Sequence, residues 1–479
     1  MTRDLNDVNS GVSGAVAGLD PERTRVLALL RRFGWNATSF QILEPGYRYF
    51  FAGEAGCVAY VTTPAAWVAA GAPIAALSEQ PRVADVFVQA ARAAGCGAVF
   101  ALTEPRFVAA WHGKQLRIGE QPVWDPRTWP ASLARSRSLR EQLRRARAKG
   151  VRVRRVGPGE LARPDLPLRR EIERLSERWL CSRSMAPMGF LVRLHLFELL
   201  EERRIFVAEG FAAEGSVAEG CSAEQQASLQ AVLALVPIYG RAGYLVEDLL
   251  RSPAAPNGTT ELLIDHALRE CAAEGCSFVT LGLAPLAGDV ATPLRVTRWL
   301  GRGLYDFAGL RAFKAKFLPE AWTPIYLSYP RDQLALPAIY ATLAAFARGS
   351  LVRFGLATLL RGPGVVLRVL AALLVPWTLA LASLDPQRYF PTPWLKWSWV
   401  LFDVGLFVAL LVLVRRPSAR LAGWLSAVIA ADAGLTLLEA LVFNVPRLHD
   451  TGTAVGLVLA VGAPALAAMV LRNVWKRMR

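Results

Sequence analysis

Four apolar stretches near the C-terminal end of this 479-residue chain constrain its fold more than any other feature. They cover residues 364–384, 397–414, 421–443 and 453–471. Each has 18 to 23 residues, long enough to cross a hydrocarbon core of about 30 Å at about 1.5 Å per residue. Four in succession with short links predict a bundle of about four transmembrane helices, where isolated apolar runs could be buried helices of a large soluble protein. Basic residues set the expected orientation. Arg353, Arg361 and Arg368 lead into the first stretch, Arg415, Arg416 and Arg420 follow the second, and Arg472, Lys476, Arg477 and Arg479 follow the fourth. Arg388, Lys396 and Arg447 alone occupy the other links. The long N-terminal region and the C-tail are therefore expected on the cytoplasmic side of a bacterial inner membrane. Asp403, Asp432 and Glu439 fall inside the apolar stretches, where charge is costly and faces a bundle interior or water. They fit either a path for lipid head groups or hydrogen bonds between helices.

The first 350 or so residues have mixed α/β patterning. Residues 1–20 are small and polar and are expected to be disordered. Helices are expected over 24–33 and 82–94, a hairpin over 47–51 and 57–62, and a buried strand over 98–103. A second set follows, with amphipathic helices over 168–182 and 190–201 and strands over 205–209 and 229–237. A mobile insert is expected over 210–228, then a strand over 243–246, a helix over 261–274 and a strand over 278–283. Helix, antiparallel strands, helix and strand, given twice, suggest two related α/β units.

Composition supports a polyanionic partner. The chain carries 55 basic and 39 acidic residues, a net charge of +16. Ten basic residues fall in the 21 positions 135–155, where Arg137, Arg140, Arg144 and Arg147 recur at helical spacing beside Arg145. Only Glu141 offsets them, so the segment suits an RNA backbone or an anionic membrane. The cysteines at 57, 96, 181, 221, 271 and 276 form no CxxC pair and have no zinc-ligand spacing with the four histidines, so neither a disulfide framework nor a metal site is expected. The N-terminal MTRDLNDVNS has no apolar core, and no cleavable signal peptide is expected.

Several motifs then occur in order: LRIGEQPVWDP (116–126), SLREQLRRARAKGV (138–151), ERWLCSR (177–183), RRIFVAE (203–209), VEDLLRSPAAPNGTTELLI (246–264), VTLGLAPL (279–286) and FKAKFLPEAWTPIYL (313–327). This array resembles the catalytic domain of aminoacyl-phosphatidylglycerol synthases, the lysyltransferase domain of the multiple-peptide-resistance-factor family, over residues 25–330. The resemblance implies tandem GNAT-like folds, expected here as 21–130 and a catalytic 131–335, then a linker over 336–360 and the membrane domain over 361–479. It also implies transfer of an amino acid from charged tRNA to the hydroxyl of an anionic lipid such as phosphatidylglycerol, with no cofactor. Asp248 would receive the amino group and Arg251 would contact a phosphate or carbonyl, with Lys316 as the third catalytic group. Asn257, Gly258, Glu261 and Lys314 would bind substrate, and Arg137, Arg140, Arg144, Arg145 and Arg147 would bind tRNA.

Residues alone leave alternatives beside each role. Asp248 and Arg251 could form a surface ion pair. Asn257 or Thr259 could cap the following helix, or free N–H groups there could bind an anion. Alternation in Phe313–Lys314–Ala315–Lys316–Phe317 suits a strand with both lysines on one face. They are two of six lysines in an arginine-dominated chain. His112, His195 and His266 carry no clear signal. The runner-up function is an acyl-CoA-dependent lipid acyltransferase, for which Gly240–Arg241–Ala242–Gly243 is a fragment of a pyrophosphate loop. A non-catalytic, membrane-tethered RNA-binding protein is the third reading.

Overall fold

A computed structural model of the chain describes residues 20–183, 185–210, 228–290, 294, 306–361, 363–383, 392–416, 418–445 and 451–478. The expected disorder of 1–20 and nearly all of the 210–228 insert lie outside the described residues, although Asp20 itself is well defined as a helix cap. The chain divides into two compact units, one of residues 1–182 and 187–351, the other of residues 183–186 and 352–479.

The first unit is built on one mixed sheet of 13 strands. Its first part comprises α1 (Pro21–Phe33), β1 (Arg48–Phe51), β2 (Gly56–Thr62), β3 (Ala66–Ala70), β4 (Ile74–Ala75), α2 (Gln80–Ala93), β5 (Gly97–Thr103), α3 (Pro105–Ala110) and β6 (Lys114–Trp124). Asp20 starts α1 by accepting the Arg23 N–H at 2.8 Å, and Pro21 suits the first turn. Next come α4 (Trp129–Arg135), α5 (Arg137–Ala148), β7 (Val151–Val156), α6 (Pro167–Ser182), β8 (Arg204–Gly210), β9 (Ser228–Ile238) and β10 (Gly243–Arg251). The remainder is α7 (Thr259–Ala273), β11 (Phe278–Thr280), β12 (Ala284–Pro285), α8 (Phe307–Ala315), β13 (Ala321–Tyr329) and α9 (Ala335–Phe346).

Strand order is β1-β2-β3-β5-β13-β6-β11-β10-β9-β8-β7, with β4 on β2 and β12 on β6. In the first part β1, β2 and β3 pair antiparallel, and β5 returns parallel to β3 after α2. In the second, β7 to β10 pair antiparallel and β11 returns parallel to β10 after α7. A helix is what such a parallel return requires. The centre interlocks the two parts, since β13 pairs with β5 on one edge and β6 on the other. One apolar cluster packs α4, α5 and α7 against one face of the β7–β11 end, through Trp129, Leu139, Leu143 and Leu263. Another packs α6 against the opposite face through Ile172, Leu175, Val232 and Leu250.

Three local expectations are corrected. Residues 190–201 are turns, not a helix, because Leu191 and Leu199 take φ of 57° and 51°, which no α-helix accommodates. The 336–360 stretch is no linker: α9 buries Ala338, Ala341 and Ala345 in the core of the first unit, and α10 (Leu351–Arg361) follows. The segment 313–317 is not a strand, since α8 runs through Ala315.

The second unit contains α11 (Pro363–Ser383), α12 (Pro393–Arg415), α13 (Ala419–Glu439) and α14 (Thr451–Met478). Among the described residues, Trp394–Arg415 and Ala419–Val442 are long and apolar enough to cross a membrane. Leu367–Ser383 and Ala460–Arg472 are shorter apolar helices. The helices meet through Leu367, Ala371, Leu410, Leu425 and Leu471. Leu379, Leu401 and Val442 point outward, as side chains facing lipid would. Asp403 is buried and accepts from Thr378 Oγ1 at 3.4 Å, a hydrogen bond between helices.

Candidate functional site

β10 and β11 pair only from Gly243–Phe278 to Leu245–Thr280. β11 then ends, while β10 continues beside β9 to Arg251. Just past this parting the β10 register slips between Val246 and Asp248, leaving Glu247 as a bulge residue. The bulge lets two consecutive acids turn away from solvent, so the side chains of both Glu247 and Asp248 are buried. Facing them is Arg203, just ahead of β8. It pairs with Glu247, lies 3.6 Å from Glu44, and donates through Nε to the Glu198 carbonyl at 2.8 Å. Its guanidinium stands over the Phe40 ring at 5.4 Å.

One buried guanidinium thus serves three buried carboxyl groups. Glu44 Oε1, Glu247 Oε1 and Asp248 Oδ2 have no hydrogen-bond partner among the described residues. Burial, then the Glu247 charge, pushes Glu44 up to about 9 and Asp248 well above the ordinary carboxylate range. The pocket is short of positive charge. Beside it lies a groove of about 380 Å³ lined by Arg169, Glu173, Glu177, His195 and Glu198. His195 Nδ1 lies 3.6 Å from Glu198, and burial lowers its pKa against the opposing pull of that carboxylate.

The opposite face of β10 gathers cations. Asp248 lies across from Ala234, on the α6 side, whereas Arg251 lies across from Ala231, on the α7 side. Residues three apart on a strand point to opposite faces, so these two neither pair nor share one cleft. Arg251 donates to the Ala255 carbonyl and reaches Asn257 Oδ1 at 3.4 Å. Asn257 therefore does not cap α7, and neither does any other side chain. Gly258 has φ +96°, and a Cβ there would come within 2.3 Å of the Gln142 carbonyl oxygen, so glycine is what lets α5 approach the start of α7. Glu261, in the first turn of α7, pairs with Lys316.

Of the expected tRNA-binding residues, all five lie on the outer side of α5, but they are not equivalent. Arg144 and Arg145 clamp Glu141 at 2.9 and 2.8 Å, holding its carboxyl down at about 2. Arg147 reaches Asp265 at 3.2 Å, and Asp265 also accepts from Trp129 and Arg269. Arg137 and Arg140 are exposed with no acidic partner among the described residues. The two lysines also separate. Lys314 is buried and donates to the carbonyls of Leu281, Gly282 and Leu283 at 2.7, 2.9 and 2.8 Å, fixing the segment where it leaves β11. Burial lowers its pKa to about 7, while the three carbonyls favour the proton. Lys316, past the helix end, reaches the start of α7 instead. Gly240–Gly243 forms the β9–β10 turn, so it does not lead from a strand into a helix as a pyrophosphate loop does.

The family described as "Phosphatidylglycerol lysyltransferase, C-terminal" matches residues 27–329, which include every residue of both faces. The chain belongs to this family. Among its relatives, the phosphatidylglycerol lysyltransferase of Bacillus subtilis is 27% identical over 329 residues, covering 66% of this chain and 35% of that protein. The lysylphosphatidylglycerol biosynthesis bifunctional protein LysX of Mycolicibacterium gilvum is 25% identical over 251 residues, covering 50% and 21%. The chain thus spans about a third or less of these relatives' lengths. Two solved structures share the fold of this phosphatidylglycerol lysyltransferase family domain. They are L-PGS from Bacillus licheniformis, with TM-score 0.56, and the C-terminal domain of a putative lysylphosphatidylglycerol synthetase from Agrobacterium fabrum, with TM-score 0.55. Each is 21% identical and covers 69% of this chain and 98% of its own. The family span ends at residue 329, ahead of the apolar helices.

Sequence reasoning did not single out Glu44, Arg203 or Glu247. Glu247 and Asp248 left one signal, two adjacent acids inside a Val/Leu-rich strand. Glu44 left none.

Proposed function

We propose that this chain is a membrane-anchored transferase that moves an aminoacyl group from charged tRNA to the hydroxyl of phosphatidylglycerol. The observation carrying this reading is the buried cluster of three carboxyl groups with a single guanidinium, opposite a cationic face, at the parting of β10 and β11. An aminoacyl-tRNA terminus brings an ammonium together with phosphates, and the lipid brings another phosphate, which matches that division of charge. The ammonium of the aminoacyl group binds Asp248, Glu247 and Glu44, reached along the groove beside His195. On the other face of β10, Arg251, Lys316 and the start of α7 meet phosphates of the tRNA or of the lipid.

In the reaction the lipid hydroxyl oxygen attacks the ester carbonyl carbon, its proton passes to the departing ribose oxygen, and one ester replaces another. Lys314 is a positioning residue, holding the 281–283 segment in place. Arg137 and Arg140 meet the tRNA backbone. A tandem origin of the two sheet halves fits their like order of strands, and basic flanks favour a cytoplasmic catalytic unit in a bacterial inner membrane. The acyl-CoA alternative loses its sequence support with the Gly240–Gly243 turn. The test is lipid mass spectrometry of the purified full chain in phosphatidylglycerol vesicles with aminoacylated tRNA. Aminoacyl-lipid that disappears on RNase treatment is the expected result, and RNase-resistant acylation driven by acyl-CoA would overturn it.

A further inference from the structure

The outer side of α9 is apolar and exposed among the described residues. Over Ala335–Phe346 the sequence ALPAIYATLAAF contains no charged residue. Its inner side is committed to the core through Ala338, Ala341 and Ala345. Its outer side leaves Leu336 74%, Tyr340 52% and Leu343 46% exposed, with Leu334 just ahead at 70%. The spacing 336, 340, 343 is one helical stripe. A soluble surface seldom shows such a stripe, and charged residues would cost nothing there.

Together with Leu351–Thr358, α9 is apolar enough for a span bent by 54°, but its inner side packs on β3, β5 and β13 of the sheet, so it can meet lipid only along its outer stripe. The rim selects the occupant. Arg331 and Arg348 are exposed at the two ends of the helix, and Lys114 and Arg92 lie near its start, with Asp332 as the acid paired to Arg92. Cations around an apolar stripe, with a tyrosine in it, suit the head-group layer of an anionic membrane. The same chain carries two helices able to cross a membrane, so a bilayer is within reach of this unit.

We propose that α9 lies flat in the head-group layer of an anionic bilayer, with Leu336, Tyr340 and Leu343 against the acyl chains. The sheet domain thereby rests on the membrane by a contact of its own, independent of the helical bundle. This goes beyond the transferase reading and needs only that the chain sits in a bilayer.

The test uses the full chain in vesicles of phosphatidylglycerol and phosphatidylethanolamine, with the photoreactive residue benzoylphenylalanine replacing Leu343 or Tyr340. The control position is Glu54, whose side chain is fully exposed. Illumination is expected to yield lipid adducts at 343 and 340 and none at 54. Adding Leu336→Glu with the label at 340 is expected to lower the adduct yield roughly tenfold or more, since one buried leucine is exchanged for a charge. Adducts joining two copies of the chain, no lipid adducts, or a yield indifferent to Leu336→Glu would each overturn the proposal. None of these readouts needs catalysis, so this inference and the transferase reading can fail separately.

Discussion

Two faces of one strand carry opposite charge. On the α6 face of β10, three carboxyl groups share Arg203 in a buried pocket. On the α7 face, Arg251 and Lys316 lie beside the start of α7, and the α5 arginines are exposed. The difference teaches how far burial governs a charge. Pairs on the wet face are screened by solvent and contribute little to stability. The buried acids must hold protons or find a cation, so that pocket is poised to discriminate between ligands by charge.

The largest expected effect breaks the buried side. Arg203→Met removes the one cation from the carboxyl cluster and should lower stability by about 3 kcal/mol. The loss should grow with pH, as more of the carboxyl groups ionise. A melting temperature equal to the parent's across pH would mean that protonation alone balances the cluster. Next is Asp248→Asn, which keeps shape but removes one acceptor of the substrate ammonium. Aminoacyl-lipid formation should fall by about 1.5–3 kcal/mol in barrier, roughly 10- to 150-fold, with the melting temperature kept or raised. Full activity would detach Asp248 from the reaction.

Glu44 gives a subtler handle. Its carboxyl holds a proton in the fold up to about 9, against an ordinary value of 4.5. The folded chain therefore binds more protons than the unfolded chain between those values. Its stabilising contribution is full below pH 4.5 and is lost as pH rises to about 9. Glu44→Gln should flatten the fall of melting temperature across that window, and a slope identical to the parent's would show that Glu44 ionises freely. The smallest effect belongs to the wet face. Replacing Arg137 and Arg140 by Ala should reduce the salt dependence of tRNA binding by roughly 0.7–0.9 per arginine in log–log slope. The same change at Arg144 and Arg145, which are engaged by Glu141, should reduce it less. An equal effect of both pairs would erase the distinction drawn between free and clamped arginines.

Much of the fold was legible because local periodicity reports local structure. The start of α1, the β1–β2 hairpin, α2, β8, β9 and α7 lie within a few residues of where patterning puts them. Patterning failed where tertiary packing overrode it. The apolar 190–201 run reads as an amphipathic helix, yet it folds into turns whose leucines plug the core. Phe313–Phe317 alternates like a strand but straddles a helix end. The candidate site was half legible, since Asp248, Arg251 and Lys316 were picked out from the motifs, whereas Arg203 stands in RRIFVAE with nothing to mark it and Glu44 lies outside every motif.

The amino-acid sequence by itself determined the family, the mixed α/β character of the first unit, the apolar helices that follow it and the basic helix α5. Those are properties of short windows and of motif order. Only the tertiary structure decided that β10 runs on to Arg251, which sets Asp248 and Arg251 on opposite faces, and that a one-residue bulge in pairing with β9 buries Glu247 beside Asp248. Only it brought Glu44 beside Arg203 and separated Lys314 from Lys316. Convergence of side chains distant in the chain follows from strand register and close packing, which no local pattern encodes.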